Sequence, residues 1–120
     1  MIALLRELAA KERLAQIEPV LGTATDVPLP PGSVDLAILV DVYHELEQPF
    51  EVLASTVRAV KPGGRVAFVE YRAGDPTVPI KPLHAMTVAQ VRREAAVQAL
   101  DFERADSSLP WQHVVVFRKR

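Results

Sequence analysis

Asp41, His44 and Glu45 fall within five positions of one another in VDLAILVDVYHEL, residues 34–46. The apolar run between Asp35 and Asp41 fits a strand buried on both faces, as in a parallel sheet. Ligands in open α/β sheets sit beyond the carboxyl ends of strands, so Asp41 and His44 occupy a place where chemistry is commonly done. A histidine titrates near neutrality and can take a proton from an acceptor hydroxyl or amine. Purely structural duties are also open to both residues: Asp41 can cap the following turn, and His44 can pack as a half-buried ring.

Other residue patterns exclude more than they offer. HELEQ begins like a zinc-protease helix, but the second histidine one turn later is replaced by Gln48. His44, His84 and His113 are far apart and show no local ligand spacing, so no metal site is expected. KPGGR, residues 61–65, lacks the spacing and the Lys-Ser/Thr ending of a phosphate loop. Its glycines instead end a helix and permit positive φ. With no cysteine, the chain has no disulfide, no thiol nucleophile and no thiolate metal site, which suits the cytoplasm.

The elements that must position these residues follow from periodicity. Residues 2–14, IALLRELAAKERL, set Leu4, Leu5 and Leu8 on one side of an amphipathic helix. IEPVLGTA, residues 17–24, is a short strand candidate, and the prolines of residues 26–33 make a loop. After the strand that starts at Val34, residues 49–60 form a helix with Pro49 in its first turn. RVAFVEY, residues 65–71, is a second buried strand, whose end carries Glu70, Tyr71 and Arg72. Residues 73–86 form a proline-broken loop. Thr87 caps a helix over residues 88–100, with Gln90 completing a capping box. Residues 101–108 and 111–120 close the chain as an antiparallel strand pair, with Trp111 expected in the core. This alternation predicts an α/β fold: a mainly parallel sheet with helices on its faces and a C-terminal antiparallel pair.

A length of 120 residues implies one domain, and 49% hydrophobic with 24% charged residues is ordinary for a globular protein. The net charge of −1 provides no field for nucleic acid or anionic membranes. No apolar run reaches the ~20 residues needed to span a bilayer. Charges at Arg6, Glu7, Lys11 and Glu12 interrupt the N-terminal apolar stretch, unlike a signal peptide.

GTATDVPLPPGSVDLAILVDVYHELEQP followed by VKPGGRVAFVEYR resembles the class I S-adenosylmethionine-dependent methyltransferases, in order and with normal spacing. The resemblance implies a partial Rossmann-like fold over residues 1–120 as a single domain. It implies that Thr23, Ala24 and Asp26 occupy the segment that holds the cofactor's adenine, although Thr23 stands where many relatives place an acid. It further implies that Asp41 and Val42 line the cofactor, while Tyr43, His44 and Glu45 line the acceptor pocket, with His44 and Tyr43 as candidate catalytic residues. Residues 78–87 would form the acceptor-side lid.

In the family pattern a first strand, a glycine-rich cofactor loop, a helix and a second strand with a ribose-binding acid precede the segment matched by residue 1. None of the five glycines here forms that loop. Methyl transfer from S-adenosylmethionine to a small molecule is therefore the activity the family implies, with weak cofactor binding expected of the isolated chain. The alternative is a non-catalytic remnant or excised fragment that folds and self-associates. The strand beginning at Val34 would also keep an unpaired edge, and a homodimer that completes the sheet or exchanges an element would cover it.

Overall fold

The computed structural model describes residues 1–73, 75–79 and 84–120. Its elements, in chain order, are α1 (Ile2–Lys11), β1 (Val34–Val40), a single 3₁₀ turn (Tyr43–Glu45), α2 (Pro49–Ala59), β2 (Val60–Arg72), β3 (Ala85–Met86), α3 (Val88–Ala95), β4 (Leu100–Asp106) and β5 (Gln112–Lys119). The sheet runs β1-β2-β5-β4, with β3 paired to β2. The α/β class is as expected, but the sheet is mixed rather than mainly parallel. β1–β2 and the two-residue β2–β3 pairing are parallel; β2–β5 and β4–β5 are antiparallel. The reason lies in the connections. Only α2 makes a full helical crossover between long neighbouring strands, whereas the reversal after β4 inserts β5 beside β2.

Strand alternation builds the core. Val66, Phe68 and Glu70 of β2 lie opposite Phe117, Val115 and His113 of β5, and Val66 and Phe68 lie opposite Ala37 and Leu39 of β1. Leu53 and Val57 of α2, Val91 and Ala95 of α3, and Tyr43 join this layer in one apolar cluster. The apolar positions of α2 recur at helical spacing, and Pro49 starts it where its missing N–H costs nothing. Thr87 caps α3 as expected, its hydroxyl accepting from the Gln90 N–H at 3.0 Å.

Several expectations are corrected. β1 is not buried on both faces: Leu36, Ile38 and Val40 are 49%, 57% and 57% exposed. β1 is an edge strand, and its alternate positions point away from the helical layer. Residues 17–24 form no strand. The Thr23 N–H donates to the Asp26 carbonyl in a tight turn, and among the described residues no strand accepts this segment as a neighbour. α1 stops at Lys11 because Arg13 turns left-handed at φ 56°. The Leu14 N–H then reaches back to the Ala9 carbonyl at 2.8 Å, closing a Schellman turn. α3 ends at Ala95, which lets Leu100 begin β4 as a buried residue. Trp111 is 48% exposed at the turn into β5, where its carbonyl accepts from the Arg72 N–H. Of the supposed lid, residues 80–83 lie outside the described residues.

The KPGG segment lies inside β2 as a bulge. Between Val34 and Leu36 of β1, the partner position on β2 advances from Val60 to Arg65. Gly63 has φ 80°, and nothing lies near a Cβ placed there. A Cβ on Gly64 would meet the Val60 side chain at 2.6 Å and the carbonyls of Lys61 and Asp35 at 2.8 and 2.9 Å. We therefore expect Gly64→Ala to cost about 2–3 kcal/mol by overpacking against backbone. Gly63→Ala should cost about 1 kcal/mol for the left-handed backbone alone. Urea denaturation of the two variants checks the order, and equal losses would contradict the close approach at Gly64.

Candidate active site

At the carboxyl end of β1 the chain turns sharply. Asp41 adopts φ 52°, a left-handed conformation that aspartate tolerates better than most residues. Its N–H still donates to the Val69 carbonyl at 2.8 Å, which ties the turn to β2. Its Oδ2 accepts from Gln112 Nε2 at 2.6 Å. Its Oδ1 is buried and has no partner among the described residues. The turn delivers Val42 to the surface and Tyr43 to the core.

His44 follows on the 3₁₀ turn and meets Glu70 of β2. The His44 Nδ1 lies 2.6 Å from Glu70 Oε2, and the His44 backbone N–H donates to Oε1 at 3.3 Å. With the ring proton on Nδ1, both carboxylate oxygens face a donor, which suits the ionised acid and leaves Nε2 as an acceptor 3.5 Å from Glu45 Oε1. Glu70 is fully buried because it continues the Val66–Phe68 face. Burial raises its pKa, and the hydrogen bond and charge of His44 oppose that rise. His44 is the compensating partner that a buried acid needs.

Tyr43 is 3% exposed and packs edge-on against Phe68, with its hydroxyl donating to Glu94 Oε1 at 3.3 Å. Burial, followed by the Glu94 charge, pushes the phenol far above its ordinary range. Tyr43 is therefore a neutral wall and donor. A cavity of about 140 Å³ is lined by Tyr43, His44, Met86, Gln90 and Glu94 among others, so both candidate catalytic residues border it.

Two further histidines separate clearly. His84 approaches the site: its Nδ1 is 3.8 Å from Glu45 Oε1, and its ring stands edge-on to His44 at 5.4 Å. His113 lies opposite Glu70 on β5, with its Nε2 buried and unpartnered among the described residues. Burial first, then the Arg72 charge, holds its pKa below the ordinary histidine value.

The cofactor-side candidates divide. Val42 borders an apolar cavity of about 380 Å³ with Val27, Leu29, Ile38 and Val60. Thr23 and Ala24 are exposed on the preceding loop. Asp26 is engaged elsewhere: its Oδ1 accepts from Ser55 Oγ at 2.8 Å and pairs with Arg58 at 3.0 Å, fastening the loop to α2. Ser55 and Arg58 hold its carboxyl below the usual range.

Glu70, Glu94, Gln112 and His84 were not identified as partners of these residues from sequence. One signal was available. A glutamate inside the otherwise apolar RVAFVEY requires a buried partner, and a histidine at the end of the neighbouring strand is a natural one.

The family model described as "Methyltransferase domain" matches residues 1–68, more than half of the chain. The chain belongs to this methyltransferase family. The methyltransferase domain is also similar in fold to a SAM-dependent methyltransferase from Aquifex aeolicus, at 18% identity and TM-score 0.90, covering 99% of this chain and 63% of that one. A putative type 11 methyltransferase from Sulfolobus solfataricus matches at 17% identity and TM-score 0.76, covering 97% and 64%. The [4+2]-cyclase SpnF matches at 13% identity and TM-score 0.80, covering 98% and 62%. The methyltransferase domain thus spans somewhat less than two-thirds of the length of these structures, and the cyclase shows that their common fold carries more than one chemistry. No curated protein matches it. No helix among the described residues is long and apolar enough to cross a membrane.

Proposed function

We propose that the chain takes part in S-adenosylmethionine-dependent methyl transfer to a small-molecule acceptor, with His44 as the proton acceptor. The observation that carries this reading is the His44–Glu70 pair, 2.6 Å apart beside a cavity at the carboxyl end of β1. Glu70 fixes the ring and keeps its proton on Nδ1, so Nε2 can receive one from an acceptor hydroxyl or amine. Tyr43 walls the same cavity.

The cofactor, when bound, supplies an electrophilic methyl group on a sulfonium. Asp41 fits such a ligand, since its buried Oδ1 is an acceptor without a donor among the described residues, and Val42 adds apolar surface beside it. Thr23 and Ala24 can contribute from the loop. Asp26 serves the loop's attachment to α2 with Oδ1. Positioning and exclusion of water are the main contributions asked of these residues. A cytoplasmic setting suits a chain without cysteine. Calorimetric titration with S-adenosylhomocysteine, together with transfer of labelled methyl groups to a panel of small hydroxyl and amine acceptors, tests the reading. Absence of both binding and transfer would remove it.

A second reading, self-association, has its own support. No residue of α1 is buried, with Leu4, Leu5 and Leu8 each more than two-fifths exposed, and among the described residues β1 has one edge without a partner strand, beside Leu36, Ile38 and Val40. We propose that a second copy of this chain covers these surfaces, because an unpaired apolar edge strand readily accepts a like strand. Light scattering at micromolar concentration is expected to give twice the 13.2 kDa chain mass. A folded species at the single-chain mass would refute the dimer.

A further inference from the structure

We infer that His44, Glu45 and His84 form a binding site for one divalent transition-metal ion. One ligand atom from each residue falls within 4.8 Å of the other two. The Glu45 Oε1 is shared between them, 3.5 Å from His44 Nε2 and 3.8 Å from His84 Nδ1. Around a tetrahedral zinc with bonds of about 2.0–2.1 Å, neighbouring ligand atoms stand about 3.3 Å apart. Closing the set therefore requires the separations to shrink by tenths of an ångström up to about 1.5 Å. Glu45 and His84 can move by that much, since their side chains are 58% and 44% exposed.

The support around His44 is of the kind a metal ligand uses. Its Nδ1 is bound to the buried Glu70, which fixes the ring and directs Nε2 toward Glu45, while the His84 ring stands edge-on at 5.4 Å. Three protein ligands leave one coordination position open, and His44 borders the 140 Å³ cavity. Two imidazoles and one carboxylate favour zinc, cobalt, nickel or ferrous iron over magnesium and calcium, which prefer oxygen-only sets. Sequence spacing conceals the site because His44 and His84 are separated by α2 and β2. The parallel pairing of Tyr71 with Ala85 returns the chain to the same place.

The site requires no cofactor or acceptor, so the test is made on the chain alone and stands apart from methyl transfer. Cobalt(II) is titrated into protein stripped with a chelator while its visible absorption is followed, and zinc then competes for the site. One saturating equivalent with the intense bands of low-coordinate cobalt is expected, displaced by zinc and absent with magnesium. His84→Ala, at a partly exposed position outside the apolar core, should weaken binding at least tenfold. Glu70→Gln should weaken it about 10–100-fold through the supporting bond. No saturable binding, or binding unchanged in His84→Ala, overturns the inference.

Discussion

Replacing His44 by alanine is expected to slow methyl transfer about 10²–10⁴-fold, the range that a positioned general base contributes. The affinity for S-adenosylhomocysteine should change little, because the cofactor-side residue is Asp41. The assay is run with a chelator, so that Nε2 is free to take the acceptor proton. The buried carboxylate of Glu70 complicates the single variant. Removing His44 leaves Glu70 without the partner that makes its burial tolerable, a loss that can reach about 3–5 kcal/mol for a broken buried pair. A His44→Ala/Glu70→Gln double variant removes that charge as well. It should recover stability relative to His44→Ala while remaining as slow. A folded double variant that transfers methyl groups at the parent rate would show that His44 takes no proton.

The second large effect concerns the packing behind the site. Phe68 is fully buried at the centre of β2, edge-on to Tyr43 at 5.0 Å and to Phe117 at 5.6 Å. Phe68→Ala is expected to cost about 3–5 kcal/mol through lost burial and the cavity left behind, a large part of a small domain's stability. Phe102→Ala provides the comparison: Phe102 also meets Phe117 edge-on, but it is 38% exposed and should cost far less. Urea denaturation of both variants measures the difference. A loss below about 1 kcal/mol at Phe68 would show that the layer repacks around the gap. Because Tyr43 rests on Phe68 and directly precedes His44, the surviving folded protein should also bind cobalt less tightly.

Much of this arrangement was legible in the residues. The apolar run before Asp41, Pro49 at a helix start, and Thr87 as a helix cap each state a local preference that tertiary structure leaves in place. The failures share a different cause. The strand expected at residues 17–24 and the two-sided burial of β1 both depend on neighbours, and apolar composition does not say whether a neighbour is present. The glycines of KPGG suit a helix end and a bulge equally well, and only the pairing of β1 with β2 makes the segment a bulge. His44 and Asp41 could be placed from their position after a strand. Their partners could not, since Glu70 and Gln112 lie 26 and 71 residues away in sequence from the groups they hold.

These separations bear on how the site comes together during folding. His44 and Glu70 belong to the β1–α2–β2 unit and close a loop of moderate length, while β4 and β5 form a local hairpin of their own. The longer closure is the docking of that hairpin onto β2, which sets His113 beside Glu70 and brings Gln112 to Asp41. Loop entropy favours local units over the longer joining step. In that order the imidazole and the carboxylate meet while still wet, and the dry surroundings that raise the acid's pKa arrive with the hairpin. Loosening the seam between β2 and β5 would thus admit water to the dyad before separating its two members.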